Sequence, residues 1–261
     1  MADDREHRPS VTAARIEEAG LNASQTPRQL FYDGWLLRIS PGKAKRARSV
    51  NAHFGSTLPL PAKIAFCEAL YAQHALPPLF RITPFVQPPD LDEVLAGKGY
   101  VAFDDTLVLA TPLAAAPAVP AIPDGTALTE PDTATFVDMV GDLRGSPAPQ
   151  RAAHRERLMH SLLAKQFVAV RRGARTVCAA QVAVADDLVG VFDLVTAEDA
   201  RGNGYATLAC AALLSWAWQR GARTAYLQVD AGNAPAIAVY RKFGFTTLYT
   251  YHYRGRPGSC R

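Results

Sequence analysis

The segment of residues 188–218 constrains the fold of this chain more than any other. An apolar strand pattern at residues 188–196 leads through a short loop into a turn with two glycines, and a long apolar helical pattern follows. The first amides of a helix have no partner inside the helix, and the helix dipole adds positive potential there. This strand–turn–helix unit therefore predicts a site for an anion, in particular a phosphate.

The glycine pattern of this turn differs from those of two other phosphate loops. A dinucleotide fold has G-x-G-x-x-G with an acidic residue about 20 residues later, and a P-loop has G-x-x-x-x-G-K-[ST]. The turn here is R-x-x-G-x-A, from Arg201 to Ala206, and no P-loop pattern occurs in the chain. The R-x-x-G-x-A form after an apolar strand resembles the coenzyme A pyrophosphate loop of the GNAT superfamily of N-acetyltransferases.

A second pattern downstream strengthens the resemblance. Residues 224–229 have a strand pattern, and Asn233 precedes a short helical pattern that contains Tyr240 and stops at Gly244-Phe245. Asn-x-x-Ala, a tyrosine four residues after that alanine and a closing Gly-Phe resemble the second GNAT motif. The resemblance implies an α/β fold with a mixed sheet and direct transfer of an acetyl group from acetyl-CoA to an amine. The alternative is an ordinary strand–helix unit whose glycines serve only as turns.

The resemblance also implies which residues hold acetyl-CoA as co-substrate. The turn would hold the pyrophosphate, the end of the preceding strand would pair with the pantetheine, and Tyr240 would protonate the leaving thiolate. Tyr240 has the alternative role of a core tyrosine, and Asn233 that of a helix cap. The implied cofactor-binding residues are Leu194, Val195, Thr196, Arg201, Gly202, Asn203, Gly204, Tyr205, Ala206, Asn233 and Tyr240.

The general base is less well determined. Many GNAT relatives carry a glutamate on one of the two strands, but this chain has Gln228 at one such position, and an amide cannot accept the proton. Asp193 is the catalytic candidate instead. Alternation places it on one face with Val189, Val191 and Val195, where burial would raise its pKa as a base requires. A hydrogen bond from Asp193 to a neighbouring loop, or a water relay without a dedicated base, is the alternative.

The acceptor amine is expected between the loop at residues 143–146 and the C-terminal tyrosine-rich strand. We name Arg144, Gly145 and Tyr251 as candidate substrate-binding residues. The helical pattern after the loop carries Arg155 and Arg157, which would either read a substrate carboxylate or form a solvated face.

A proline-rich stretch divides the chain into two lobes. Residues 111–126 contain four prolines among alanines, which excludes a regular helix or a central strand. We predict a degenerate GNAT-like lobe at residues 1–113, a linker at 114–125 and a catalytic GNAT domain at 126–261. The first lobe repeats the order of elements, with Gly99-Tyr100 in the place of Gly244-Phe245, although coincidence of common units is the alternative. It lacks the R-x-x-G-x-A turn, so we expect it to bind no coenzyme A.

Composition argues against nucleic acid, metal ions and the membrane as binding partners of this chain. The net charge of +4 is too mild to indicate nucleic acid. The four cysteines form no C-x-x-C pair and the six histidines show no ligand spacing, so we expect no metal and a reducing, cytoplasmic location. No apolar run approaches the roughly 20 residues that span a bilayer. The polar residues 1–8 lack the apolar core of a signal peptide, and we expect them to be frayed.

Together these features predict an acetyl-CoA-dependent N-acetyltransferase whose acceptor is the primary amine of a small molecule rather than of a protein. A non-catalytic acyl-CoA-sensing protein on the same fold, or another nucleotide-binding α/β protein, is the alternative. Residues 207–218 contain no charged side chain, so we expect the first lobe or a second copy, in a homodimer, to cover that helix. The basic run at residues 43–48 is interpreted as a solvated loop rather than an anion site.

Overall fold

The computed structural model describes residues 11–258, so the predicted frayed segment and Cys260 lie outside it. The described strands form one mixed sheet: β1 (Gln29–Tyr32), β2 (Trp35–Arg38), β3 (Val50–Ala52), β4 (Phe80–Ile82), β5 (Val101–Pro112), β6 (Thr126–Thr129), β7 (Ala164–Arg172), β8 (Arg175–Ala185), β9 (Leu188–Thr196), β10 (Thr224–Asp230) and β11 (Thr246–Gly255). The helices are α1 (Val11–Ala23), α2 (Leu60–Gln73), α3 (Leu91–Gly97), α4 (Thr133–Arg144), α5 (Ala148–His160), α6 (Tyr205–Gln219) and α7 (Ala234–Arg241). The predicted α/β class is confirmed.

The last strand of each half lies in the other half of the sheet. We call residues 11–113 the first half and residues 126–258 the second half. The strand order is β1-β2-β3-β4-β11-β5-β10-β9-β8-β7-β6, so β5 pairs with β10 and β11 pairs with β4. Residues 114–125 lie in no helix or strand. Backbone hydrogen bonds, rather than the linker, therefore fix the two halves relative to each other.

Alternation along the strands divides the helices between the two faces of the sheet. In β8, Cys178 and Ala180 pack with α6, whereas Ala179 between them packs with Phe136 of α4. In the first half, α2 and α3 pack on one face of β4, and α1 meets the other face. The mixed sheet thus forms a middle layer between two layers of helices.

The apolar helix α6 is covered by its own chain. No residue from Tyr205 to Trp218 is fully exposed. The surrounding cluster comes from β5, the strands β7 to β10, and α7. The helix therefore needs no second copy to cover it, and a homodimer stays a prediction. No helix of the described part, α6 included, is long and apolar enough to cross a membrane.

A buried ion pair joins α1 to the centre of the sheet. Glu17 and Arg81 are 4% and 1% exposed, and Nη2 of Arg81 donates to Oε2 of Glu17 at 3.0 Å. The Tyr249 hydroxyl donates to the same oxygen at 2.6 Å. Burial would raise the pKa of Glu17, but the charge and hydrogen bonds of Arg81 lower it to about 2. Side chains of both halves therefore share one buried polar cluster.

The sequence patterns missed three short strands and the end of a fourth. β1, β3 and β6 have only three or four residues each, too few for alternation to show. β5 continues through Pro112, which belongs to the proline-rich stretch that was expected to exclude a central strand, and Pro112 pairs with Thr224. Proline is tolerated there because it is the last residue of the strand, where few ladder bonds remain to be made.

Candidate active site

Strands β9 and β10 separate in the middle of the sheet. Their parallel pairing ends at Val191 and Leu227, although both strands continue. Just beyond this point β9 has a β-bulge, because it has one residue more than β8 between Phe192 and Val195. Asp193 lies inside the bulge with a φ of +54°, a left-handed conformation that non-glycine residues rarely adopt. The result is a gap between two neighbouring strands.

The edge of β9 along this gap comprises Leu194, Val195 and Thr196. Val195 and Thr196 pair with β8 on one side, and none of the three residues has a strand partner on the β10 side among the described residues. An extended, peptide-like ligand can add to such an edge as a peptide augments a sheet. The gap therefore lies where the sequence predicted the pantetheine contacts.

The turn before α6, residues 201–206, has the features of an anion-binding site, and we call it the cradle. Gly202 and Gly204 have φ values of +79° and +77°, and a Cβ on either residue would meet no protein atom within 4 Å. The Asn203 amide donates to the carbonyls of Ala200 and Arg201 at 3.1 and 3.2 Å, which fixes the turn. No side chain caps the start of α6. Its first amides are therefore available to a ligand.

The entry to α2 in the first half is different. The Asp33 carboxylate accepts hydrogen bonds from the amides of Thr57 and Leu58, each at 2.9 Å, and from the Thr57 hydroxyl at 2.7 Å. Lys63 lies 3.3 Å from the same carboxylate. These hydrogen bonds hold the pKa of Asp33 well below its usual range. The chain's own carboxylate thus occupies two amides just before α2, and the absence of coenzyme A binding in this half stays a prediction.

Asn233 lies at the start of α7 and Tyr240 near its end, and Tyr240 belongs to the same apolar cluster as α6. Asn233 caps the helix, because its side-chain oxygen accepts from the Ala236 amide at 3.2 Å. Tyr240 is 7% exposed and packs edge-on against Phe245. Burial raises the pKa of Tyr240, so its phenol keeps its proton at neutral pH. A neutral phenol is the form that can donate a proton.

Asp193 is a fixed anion, and the expectation that its pKa would be raised is wrong. Its carboxylate lies 2.9 Å from Arg144, 3.0 Å from His154 and 4.0 Å from Arg157, and it accepts from the Gln181 amide. Burial alone would raise the pKa of Asp193, but His154 and the two arginines hold it well below its usual range. The side chain at the bulge lies against His154 and the two arginines, which the simple alternation rule did not allow for. A carboxylate so strongly paired is a poor general base.

A cavity of about 570 Å³ lies between the two halves, and Asp193 is one of its lining residues. Its walls come from residues 40–47 of the first half and from α4 and α5 of the second. Its polar lining residues include Lys43, Arg144, Arg151, His154, Arg157, Asp193, Asp230 and Asn233. The volume suits a small molecule. The first half therefore forms part of the wall, which no sequence pattern indicated.

Two of the three candidate substrate-binding residues do not line this cavity. Arg144 does, but Gly145 is an exposed residue that ends α4 with a φ of +61°. Tyr251 is 5% exposed, and its hydroxyl donates to Gln228 at 2.7 Å. Side chains of β11 alternate between the two faces of the sheet, and Tyr249, Tyr251 and Tyr253 lie in the core beneath α1. The structure therefore brings only Arg144 of the three to this cavity.

The basic run at residues 43–48 is not a solvated loop beyond Lys43, which is exposed. It contains a 3-10 helix, Lys45–Arg48, and Arg46 is half-buried. Arg46 donates to Gln228, to the Tyr251 hydroxyl at 3.4 Å and to Ser24 at 3.1 Å. Gln228, at the position of the relatives' glutamate, thus serves as an acceptor for Arg46. Because these partners are far apart in the sequence, no pattern of neighbouring residues could have predicted the contacts.

The whole chain, and not only its second half, is similar to known acetyltransferases. The family model described as "Probable histone acetyltransferase Rv0428c C-terminal" matches residues 12–254. The "Uncharacterized N-acetyltransferase YobR" of Bacillus subtilis is 27% identical over 224 residues, which are 84% of this chain and 89% of that protein. Among solved structures, a GCN5-related N-acetyltransferase from Kribbella flavida has a TM-score of 0.68 at 20% identity, covering 94% and 96% of the two chains. A tandem GNAT protein from the clavulanic acid biosynthesis pathway has a TM-score of 0.61 at 19% identity, covering 75% and 68%.

Proposed function

The chain belongs to the GNAT superfamily of N-acetyltransferases, and on this premise we propose that it transfers an acetyl group from acetyl-CoA directly to the primary amine of a small molecule. The observation that carries the proposal is the free edge of β9. This edge begins at the cavity, beside Asp193, and ends at the loop that precedes the cradle at Gly202–Gly204. A thioester along it would place its pyrophosphate at the cradle and its acetyl group at the cavity.

The residues of the cradle fit acetyl-CoA, which supplies the acetyl group in activated form when bound. Gly204 places the uncapped amides of α6 toward open space. Arg201 is exposed, and its ion pair with Glu198 is long, at 3.9 Å. The guanidinium can therefore turn toward a phosphate. Tyr205 and Ala206 would contribute their backbone amides, and Leu194 to Thr196 their main-chain groups.

The transfer requires one proton to leave the amine and one to reach the thiolate. In the proposed reaction a C–N bond forms and the C–S bond of the thioester breaks. Tyr240 is the proposed donor to sulfur, because burial keeps its phenol protonated. His154 lines the cavity and is held through Nε2 by Asp193, and no described residue bonds to its Nδ1. We assign the base to His154 and a positioning role to Asp193, in the way that a carboxylate orients a histidine in hydrolases.

The decisive experiment is an assay of thiol release from acetyl-CoA over a panel of small amines, with the variant Tyr240→Phe. We expect turnover with at least one amine, and a loss of kcat of about 100-fold in Tyr240→Phe with unchanged affinity for acetyl-CoA. Tyr100→Phe is the control, since Tyr100 is a buried tyrosine of the first half. Tight binding of acetyl-CoA without turnover would favour the sensing protein. Stabilisation by NAD or ATP but not by coenzyme A would point to another nucleotide-binding protein.

A further inference from the structure

We infer that the acceptor amine carries a carboxylate, and that Arg157 of α5 is the residue that binds it. This inference rests on the proposed acetyl transfer and names the class of its acceptor. It starts from an arginine that lines the cavity without a close partner. The Arg157 side chain is 13% exposed, and its nearest carboxylate oxygen, on Asp193, is 4.0 Å away.

Asp193 does not satisfy this arginine. Its two oxygens already accept from Arg144 at 2.9 Å, from His154 at 3.0 Å and from the amide of Gln181. The guanidinium of Arg157 makes no hydrogen bond to any residue between 11 and 258, although a guanidinium has five N–H donors. Arg157 is partly buried and lines the cavity, so a ligand in the cavity can accept hydrogen bonds from these unused donors.

The surroundings of Arg157 favour an anion rather than a neutral group. Burial, together with the positive charges of Arg46 and Arg144, lowers the pKa of Arg157, while Asp193 alone opposes this. Across the cavity, the first half contributes Lys43, an exposed side chain with no partner in the described part of the chain. The two sides of the cavity thus present positive charge to the same space.

A carboxylate matches this arrangement in shape and in size. The planar guanidinium binds a carboxylate through two parallel hydrogen bonds. A cavity of about 570 Å³ holds a small amino acid-like molecule whose amine lies toward His154 and the free edge of β9. Lys43 would then act as a second, longer-range charge from the first half, which gives that half a part in choosing the acceptor.

The test compares pairs of amines that differ only in the acidic group. Each amino acid is assayed against its amide, which keeps the amine and loses the carboxylate charge, and phosphoethanolamine is assayed against ethanolamine. In the wild type we expect kcat/KM for the carboxylate member to exceed that for the amide by roughly 10-fold to 100-fold, as for a charge-assisted hydrogen bond. A preference confined to the phosphate pair would overturn the assignment of a carboxylate.

The variant Arg157→Gln should abolish the preference by raising KM for the carboxylate member, with KM for acetyl-CoA unchanged. Arg155→Gln is the matched control on the same helix, because Arg155 pairs with Asp138 at 2.9 Å and does not line the cavity. If Arg157→Gln does not fold, Arg157→Lys and the surface variant Lys43→Gln replace it, and each should reduce the preference several-fold. Turnover of all amines without preference overturns this inference and leaves the acetyl transfer intact. No turnover with any amine overturns both.

Discussion

His154 and Asp193 form the pair of residues to which we assign proton removal from the amine. Because the pKa of Asp193 is well below its usual range, the carboxylate is ionised throughout pH 5–8, and a limb of the pH–rate profile in that range belongs to another group. An imidazole titrates in that range. We expect His154→Gln to lower kcat by about 100-fold and to remove the limb. Asp193→Asn should also lower kcat but retain a limb.

The control for this pair lies on the same helix. His160 is exposed, and its Nδ1 lies 2.8 Å from the Glu156 carbonyl, so His160→Gln should leave both kcat and the profile unchanged. The measurement is kcat/KM between pH 5 and 9, with saturating acetyl-CoA. An unaltered limb in His154→Gln would assign the base to a different group or to water.

At the scale of elements, the turn before α6 is where a left-handed backbone conformation coincides with the proposed pyrophosphate site. Gly204 has a φ of +77°, which costs a residue with a Cβ about 1 kcal/mol. We expect Gly204→Ala to lower stability by about this amount and to weaken acetyl-CoA binding roughly 10-fold, because the amides of α6 shift. Gly173→Ala is the control, since Gly173 has a φ of +56° in the turn between β7 and β8, away from the cradle. Calorimetry showing equal affinity in the two variants would contradict a pyrophosphate site at Gly204.

Elements with a strong local pattern could be predicted from the sequence. The strand β9, the glycine turn and α6 follow one another in the chain, so hydrophobic period and turn residues were enough to place them. The bulge at Asp193 could not be predicted, because it depends on the register between β8 and β9. The burial of Arg46 could not be predicted either, since its partner Gln228 is 182 residues away. The succession of helices, strands and turns along the chain was therefore predictable, whereas side-chain partners across the sheet were not.

At the scale of the molecule, the ion pair between Glu17 and Arg81 makes stability depend on pH. The pKa of Glu17 is about 2 in the folded protein and about 4.3 in an unfolded chain. A lowered folded pKa gives stability that is present above about pH 4.3 and is lost as the pH falls toward 2. The contribution is about 3 kcal/mol. Urea unfolding of the wild type between pH 2 and 7 should show this loss, and Glu17→Gln, less stable at pH 7, should show a flatter dependence. Parallel curves for the two proteins would argue against it.

The exchange of β5 and β11 between the halves predicts that the chain unfolds as one unit. Removing the first half would leave β10 without its partner β5 and β11 with no neighbour at all. We therefore expect one calorimetric transition for the full chain, with equal van't Hoff and calorimetric enthalpies. A fragment of residues 126–261 alone should not unfold cooperatively. Co-expression with a fragment of residues 1–125 should restore the transition, because the break falls in a segment without helix or strand. Two separate transitions in the full chain, or a stably folded second-half fragment, would mean that the strand exchange does not couple the halves.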